Sequence, residues 1–268
     1  MNNESDYKKV TVPTAISAIV PVFNEEQTVA LVIEALLHSN VIDEVICVND
    51  GSTDHSLAIL KKYQDQIKLI NLKKNQGKGY ALAEGIKSAK NEIVAFIDAD
   101  LTNLADEHIK ALVKPILTGK FKAVLGYPSK GWMPDPFSNL TGERVYYKKD
   151  LVPHLEKMAK TRFGVEIFLN NLFTEDKIKK LPLKHLRGLF KYEKHDSITG
   201  LKELLVEAAE IAQEIGKREG LLPEDKQIIV SLVNVLNFKE LNRKINHIKN
   251  MQVKQFLEKY VLSYVKKL

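Results

Sequence analysis

Two aspartates one residue apart, Asp98 and Asp100, close the apolar run Ile93–Ile97. A short continuous apolar run of this kind reads as a buried strand. Its end can lift two carboxylates out of a sheet and turn them toward a cleft. Hard cations such as Mg2+ take oxygen ligands and commonly share them with substrate phosphates. Acids at i and i+2 can therefore divide the work, one as metal ligand, the other as hydrogen-bond acceptor for a sugar or ribose. Taken alone, the same pair reads better as a capped turn before a helix starting near Leu104. The elements around it decide between the two.

Those elements alternate. Ala15–Val22 is a strand candidate closed by Phe23-Asn24-Glu25-Glu26, and Val29, Val32, Ile33, Leu36 and Leu37 then recur at helical spacing through His38. Asp43–Val48 is a second strand, ending in Asn49-Asp50-Gly51-Ser52-Thr53-Asp54, where Ser52, Thr53 or Asp54 could cap the helix carrying Leu57, Ile59 and Leu60. Ile67–Leu72 is a third strand, and Asn75-Gln76-Gly77-Lys78-Gly79 opens a helix through Ala81, Leu82 and Ile86. The strand ending at Asp98 is fourth, Leu104–Leu117 is its helix, and Phe121–Gly126 is a fifth strand. Strand–helix alternation with short connections predicts a parallel sheet with helices on both faces. Ligands of such sheets sit outside the carboxyl ends of the strands. The polar residues at four of these ends are Asn24-Glu25, Asp50-Gly51, Gly77-Lys78 and Asp98-Asp100.

Beyond Gly126 the pattern changes. Tyr127–Asn139, with Pro128, Gly131, Pro134 and Pro136, reads as a loop or lid. Thr141–Asn171 reads as two or three short helices and Ile178–Lys191 as one more strand. From Ser197 onward the spacing is helical: Leu201, Leu204, Leu205, Ala208 and Ile211 share a face, Pro223 starts a further helix, and a last helix is expected from about Leu241 to Val265. The 268 residues can bury a full core, and 44% hydrophobic and 28% charged residues are ordinary for a globular chain. A net charge of +6 favours anionic partners without choosing among them. The single cysteine, Cys47, excludes an internal disulfide framework. The polar start Met1–Lys9 and the lack of a long apolar run point to a cytoplasmic protein.

Four blocks taken together carry a resemblance. Ile19-Val20-Pro21-Val22-Phe23-Asn24-Glu25-Glu26, Val48-Asn49-Asp50-Gly51-Ser52-Thr53-Asp54, Asn75-Gln76-Gly77-Lys78-Gly79 and Asp98-Ala99-Asp100 resemble, in this order, the nucleotide-sugar half of GT-A glycosyltransferases, in particular the large inverting family 2. The resemblance implies that Pro21, Phe23, Asn24 and Glu25 border the nucleoside and that Asp50 accepts a hydrogen bond from the base, often uracil. Gly51 would keep that turn narrow, and Lys78 would lie near the nucleotide. It further implies that Asp98 and Ala99 meet the ribose or donor sugar and that Asp100 holds Mg2+ or Mn2+ on the diphosphate.

A narrower likeness covers the acceptor side. Thr141-Gly142-Glu143-Arg144 and Phe163-Gly164-Val165-Glu166-Ile167 look like elements of glucosyl-3-phosphoglycerate synthases. It implies that Gly142, Glu143 and Arg144 bind an acceptor, Arg144 through a forked guanidinium–phosphate pair. Glu166 stands where inverting relatives place a general base. The synthases supply a metal-binding histidine after their last strand. His185 and His195 are the candidates here, His185 being taken as the ligand, although the register puts Gly188 nearest the position. The C-terminal helices could pack on the core, pair two copies into a homodimer, or make peripheral membrane contact.

The expected architecture is thus α/β, a GT-A, mostly parallel sheet flanked by helices: a flexible lead at 1–14, a catalytic domain at 15–195 divided at 126/127 into nucleotide-sugar and acceptor halves, and a helical extension at 196–268. The expected function is metal-dependent transfer of a sugar from a nucleotide diphosphate sugar, a UDP-sugar, to a hydroxyl of an acceptor, an anionic small molecule or a lipid phosphate, with no nucleic-acid partner. Two rivals share parts of this pattern. A sugar nucleotidyltransferase needs a glycine-rich triphosphate loop after its first strand, where this chain has Phe23-Asn24-Glu25-Glu26. A catalytically silent nucleotide-sugar-binding scaffold would not need Asp98 and Asp100.

Overall fold

A computed structural model of the chain describes residues 14–129, 138–189, 197–235, 237–262 and 265. Most of the expected lead, the centre of the proline-rich loop and His195 lie outside these residues. The described chain folds as a seven-stranded sheet with helices on both faces and a helical C-terminal module. In chain order, β1 (Ile16–Val22), α1 (Val29–Leu37), β2 (Glu44–Asn49), α2 (Ser56–Lys62), β3 (Lys68–Asn71), α3 (Lys78–Ser88), β4 (Ile93–Phe96) and α4 (Asp106–Val113) give the alternating half. Then come β5 (Ala123–Ser129), β6 (Arg144–Tyr147), the short helices α5 (Lys148–Leu151), α6 (Leu155–Ala159) and α7 (Val165–Asn170), and β7 (Ile178–Lys184). The module comprises α8 (Ser197–Glu219), α9 (Pro223–Leu232), α10 (Phe238–Asn246) and α11 (Met251–Leu257).

The strand order is β3-β2-β1-β4-β6-β5-β7. β1 is parallel to β2 and β4, with Ala18 opposite Val45 and Ala95, so the loops after these strands leave the same edge. Strands buried on both faces read as apolar runs because alternate residues feed two cores. Ala18, Val20 and Val22 of β1 enter the layer under α1 and α4, and Ile19 enters the layer under α3. Each fully buried valine or isoleucine among them contributes roughly 1.5–3 kcal/mol.

Three expectations require correction. Arg144–Tyr147 is not helical: β6 lies antiparallel between β4 and β5. Val145 and Tyr146 face opposite cores, Tyr146 with its ring 5.4 Å from that of Phe96. Two tyrosines and a valine suit a pleated surface, and this strand-forming signal outweighs the helical pattern around it. β5 runs on through Pro128 to Ser129, paired in parallel with β7. The last helix is broken at 247–250, where the buried Asp225 carboxylate accepts hydrogen bonds from the amides of Lys249 (2.8 Å) and Asn250 (2.9 Å), and Asn250 then caps α11 through the amide of Val253.

Of the three roles left open for the C-terminal helices, packing is what the structure displays. They share a core of their own, in which Leu205, Ala208 and Ala212 of α8 meet Ile229, Ile245, Val253 and Leu257. The other side of α8 rests on the turn at 162–164, where a Cβ on Gly164 would stand 2.7 Å from Cβ of Glu214. No described helix is long and apolar enough to cross a membrane. Replacing Asp225 by Ala leaves two partly buried amides without their acceptor, so urea denaturation is expected to show a loss of about 1 kcal/mol. An unchanged midpoint would mean that the helix break is held by something else.

Candidate active site

The loops after β1 and β2 are sewn together. Asn24 takes the left-handed conformation (φ 56°), which asparagine tolerates better than most side chains. Its Oδ1 accepts from the Thr53 amide at 2.8 Å, and its own amide donates to Ser52 Oγ at 3.1 Å. Ser56 Oγ accepts from the Glu25 amide at 2.8 Å. Phe23, 37% exposed, presents its ring at this edge, and Pro21 is half-buried behind it.

Asp50 ends β2 almost fully buried, and its two carboxylate oxygens accept from the amides of Gln76 (2.7 Å) and Gly77 (2.8 Å). Burial raises its pKa, while those two N–H groups and the Arg162 guanidinium pull it back down. Asp50 therefore fastens the β3–α3 loop, a role its position beside glycine did not reveal. Any bond to a base would be additional to these two. Gly51 must be glycine: its φ is 71°, and a Cβ would stand 2.5 Å from the backbone carbon of Lys74.

The loop fastened by Asp50 starts α3, and Lys78 is its first residue. A cation at a helix N-terminus opposes the helix dipole, so its position needs another cause. That cause is two carboxylates: Lys78 Nζ lies 2.6 Å from Asp98 Oδ1 and 2.7 Å from Glu166 Oε1. Burial works against the Lys78 ammonium, but Asp98 and Glu166 together outweigh it and hold its pKa well above the usual lysine value. Burial raises the pKa of Glu166, against the pull of Lys78 and Arg144. Ala99 is buried between Asp98 and Asp100, which are both half-buried.

The 141–144 segment closes the other side of Asp98. A Cβ on Gly142 would stand 2.0 Å from Asp98 Oδ2, so only glycine fits. Thr141 Oγ1 lies between the Gly126 carbonyl oxygen, at 2.5 Å, and Glu143 Oε2. A hydroxyl has one hydrogen to give, so two acceptors leave one contact without a proton. A protonated Glu143 completes the chain. Burial and the nearby Asp98 push the Glu143 pKa up to about 8.

Arg144 is not where an acceptor-binding residue would stand. It is 1% exposed; Nε donates to the Thr141 carbonyl (2.6 Å), Nη1 to Tyr146 Oη (3.2 Å) and Asn170 Oδ1 (2.8 Å), and Nη2 to the Asn139 carbonyl (2.7 Å). The expectation that it grips an anionic acceptor gives way to a buried brace joining β6, α7 and the 139–141 turn. The residue set beside Asp100 is Gly188, where a Cβ would stand 3.1 Å from Asp100 Oδ1; the Leu189 amide donates to the Asp100 carbonyl at 2.9 Å. His185 is exposed in a left-handed turn (φ 64°), its carbonyl accepting from Asn103 Nδ2.

Sequence reading missed Arg162 and Glu210. Arg162 is half-exposed, left-handed (φ 51°), and donates from Nε to Glu210 Oε1 (2.6 Å) and from Nη2 to Asn75 Oδ1 (3.2 Å). The pair joins residues 48 apart, and no local pattern announces it.

Glu143 generates a pH prediction. From its ordinary value of 4.5, its folded pKa rises to about 8. The unfolded chain thus loses this proton first, binds fewer protons in the interval, and gains relative to the folded state as pH rises. In EDTA, stability should fall from about pH 4.5 to about 8 and then level off. Glu143→Gln should remove this slope, so that its advantage in Tm grows between pH 5 and 8; parallel profiles for variant and parent would refute the neutral acid.

The model of glycosyl transferase family 2 matches residues 17–172. The glucosyl-3-phosphoglycerate synthase of Mycobacterium tuberculosis is 33% identical over 112 residues, 39% of this chain and 35% of that protein. The dodecaprenyl-phosphate galacturonate synthase of Rhizobium johnstonii is 35% identical over 96 residues, 33% of this chain and 28% of that protein. The matched part thus spans about a third of these curated relatives. The crystal structure of the M. tuberculosis synthase with Mn2+, uridine diphosphate and glucosyl-3-phosphoglycerate superposes with a TM-score of 0.61 at 22% identity, covering 76% of this chain and 80% of that one, a likeness of fold.

Proposed function

The chain belongs to glycosyl transferase family 2, and from that membership we propose that it transfers a sugar from a nucleotide diphosphate sugar, a UDP-sugar, to a hydroxyl of a phosphate-bearing acceptor. The observation that carries the reading is Lys78, which draws Asp98 and Glu166 together from three separate elements at the carboxyl edge of the sheet. The catalytic domain is taken as residues 15–195, with the nucleotide-sugar half up to 126, followed by the helical extension at 196–268.

In this reading Pro21, Phe23, Asn24 and Glu25 border the nucleoside beside Gly51. Asp50 acts on the nucleotide chiefly by fixing Gln76 and Gly77. Asp98, held at one oxygen by Lys78 and packed at the other against Gly142, is taken to accept from the ribose or donor sugar. Glu166, buried on Lys78, positions that lysine; a role as general base would require the pair to open.

The donor set favours a cation shared with substrate over one caged by protein. Among the described residues no three His, Cys, Asp or Glu side chains stand together as metal ligands. With Glu143 neutral, Asp98, Asp100 and Glu166 still outnumber the cations Lys78 and Arg144, and the surplus is of the sign a divalent ion relieves. One or two carboxylates plus phosphate oxygens is the usual setting of Mg2+. Asp100, with Asp98 near, would hold Mg2+ or Mn2+, and the bound ion would neutralise and orient the leaving diphosphate.

The names of two relatives, a glucosyl-3-phosphoglycerate synthase and a dodecaprenyl-phosphate galacturonate synthase, support an acceptor carrying phosphate, small or lipid-linked. Calorimetry with UDP and Mn2+, followed by hydrolysis of UDP-glucose, tests the reading. Asp100→Asn keeps the shape and removes the charge, so turnover should fall about a hundredfold or more with circular dichroism unchanged. Failure of the unaltered chain to bind UDP, or full hydrolysis in EDTA, would sink it.

A further inference from the structure

We propose that Glu210, on α8 of the C-terminal module, is a positioning residue for the nucleotide-sugar loop. This rests on the reading of residues 75–78 as part of the donor site. Glu210 holds two successive residues of one strained turn: Oε1 accepts from Arg162 Nε at 2.6 Å and Oε2 from the Phe163 amide at 3.1 Å. Arg162 is in the left-handed region (φ 51°), a conformation that persists in a non-glycine residue only when its surroundings enforce it.

The turn is wedged against the start of α3. A Cβ on Gly77 would stand 2.9 Å from Arg162 Cα, and a Cβ on Gly79 2.4 Å from the Met158 carbonyl oxygen and 2.6 Å from Thr161 Oγ1. Contacts that leave no room for a methyl group transmit displacement. Arg162 Nη2 also donates to Asn75 Oδ1 in the loop itself. Movement of the turn therefore moves Gly77 and Lys78. On its other side the turn leads through Gly164 into α7, which carries Glu166. Glu210 thus acts on Lys78 from both directions, through its backbone and through one of its two carboxylate partners.

The effect is local. The Arg162 side chain is 43% exposed and that of Glu210 19% exposed, and partly solvated ion pairs add little to global stability. The module has a separate apolar core that does not involve Glu210. What the pair supplies is the conformation of a turn on which the donor loop leans.

The test uses the full chain with Glu210→Ala, Arg162→Ala and the double variant. Hydrogen exchange at Gln76–Tyr80 is read without ligand, UDP affinity is read by calorimetry with Mn2+, and Tm is read by scanning calorimetry. Glu210→Ala should speed exchange at Gln76–Tyr80 severalfold and weaken UDP about tenfold, a typical size for coupling between distinct sites. Exchange in β1 and β4 and the Tm should stay close to those of the parent. The double variant should weaken UDP by less than the sum of the two single changes, since they share the Arg162–Glu210 link. Unchanged exchange at Gln76–Tyr80, or a rise shared equally by β1 and β4, overturns the proposal. If the parent chain binds no UDP, the donor-site reading fails by itself, and the exchange data still decide whether Glu210 holds the loop.

Discussion

One ammonium group ties the candidate site together. Lys78 comes from the start of α3, Asp98 from the end of β4 and Glu166 from α7, three elements that meet at this side-chain contact. Burying a lysine costs several kcal/mol in lost hydration, and this is recovered only with well-placed opposite charge. Two carboxylates at 2.6 and 2.7 Å provide it. The constraint works outward from there. Gly77 and Gly79 must be glycines so that α3 can start against the 158–162 turn, and Gly142 must be one so that β6 can pass Asp98.

The surplus of acid around that lysine explains the neighbouring chemistry. With Asp98 and Asp100 near, a third ionised carboxyl at Glu143 is unfavourable, and burial raises the cost further. Protonation is the local remedy, and the Thr141 hydroxyl and Gly126 carbonyl are placed to receive it. On the proposed reading a divalent ion arriving with substrate would be the other remedy. Charge supplied by the ligand is charge the empty protein does not have to hold in place.

The nucleotide half was legible because its signals are local. Apolar runs ending in Asn24, Asp50 and Asp98 mark strand ends, and parallel pairing brings such ends to one edge. β6 was hidden because four residues offer too short a period, and its register depends on Tyr146 meeting Phe96 across the sheet. Arg144 was misread for a physical reason. An arginine in a short polar stretch looks exposed, whereas here the carbonyls of Asn139 and Thr141 and the side chains of Tyr146 and Asn170 pay its desolvation. Glu210 lies on an amphipathic helix as an ordinary charged residue, and only the tertiary packing gives it Arg162 and Phe163 as partners.

These corrections move acceptor selection away from the 141–144 segment. Gly142 is filled by Asp98, Glu143 is buried and neutral, and Arg144 faces the interior, so on the proposed reading the segment would form a wall behind a bound sugar rather than a hand on the acceptor. A wall of this kind is compatible with many acceptors, because it fixes Asp98 without reading what lies beyond it. Discrimination would then fall to groups at the open side of the sheet edge, next to Asp100, where Gly188 adds no side chain and the stretch from β7 onward is rich in lysine and arginine. The loop fastened by Asp50 is braced by hydrogen bonds that run from β2 through Arg162 to α8. Exposed positions beyond β7 can be substituted without disturbing Lys78, on which the start of α3 depends.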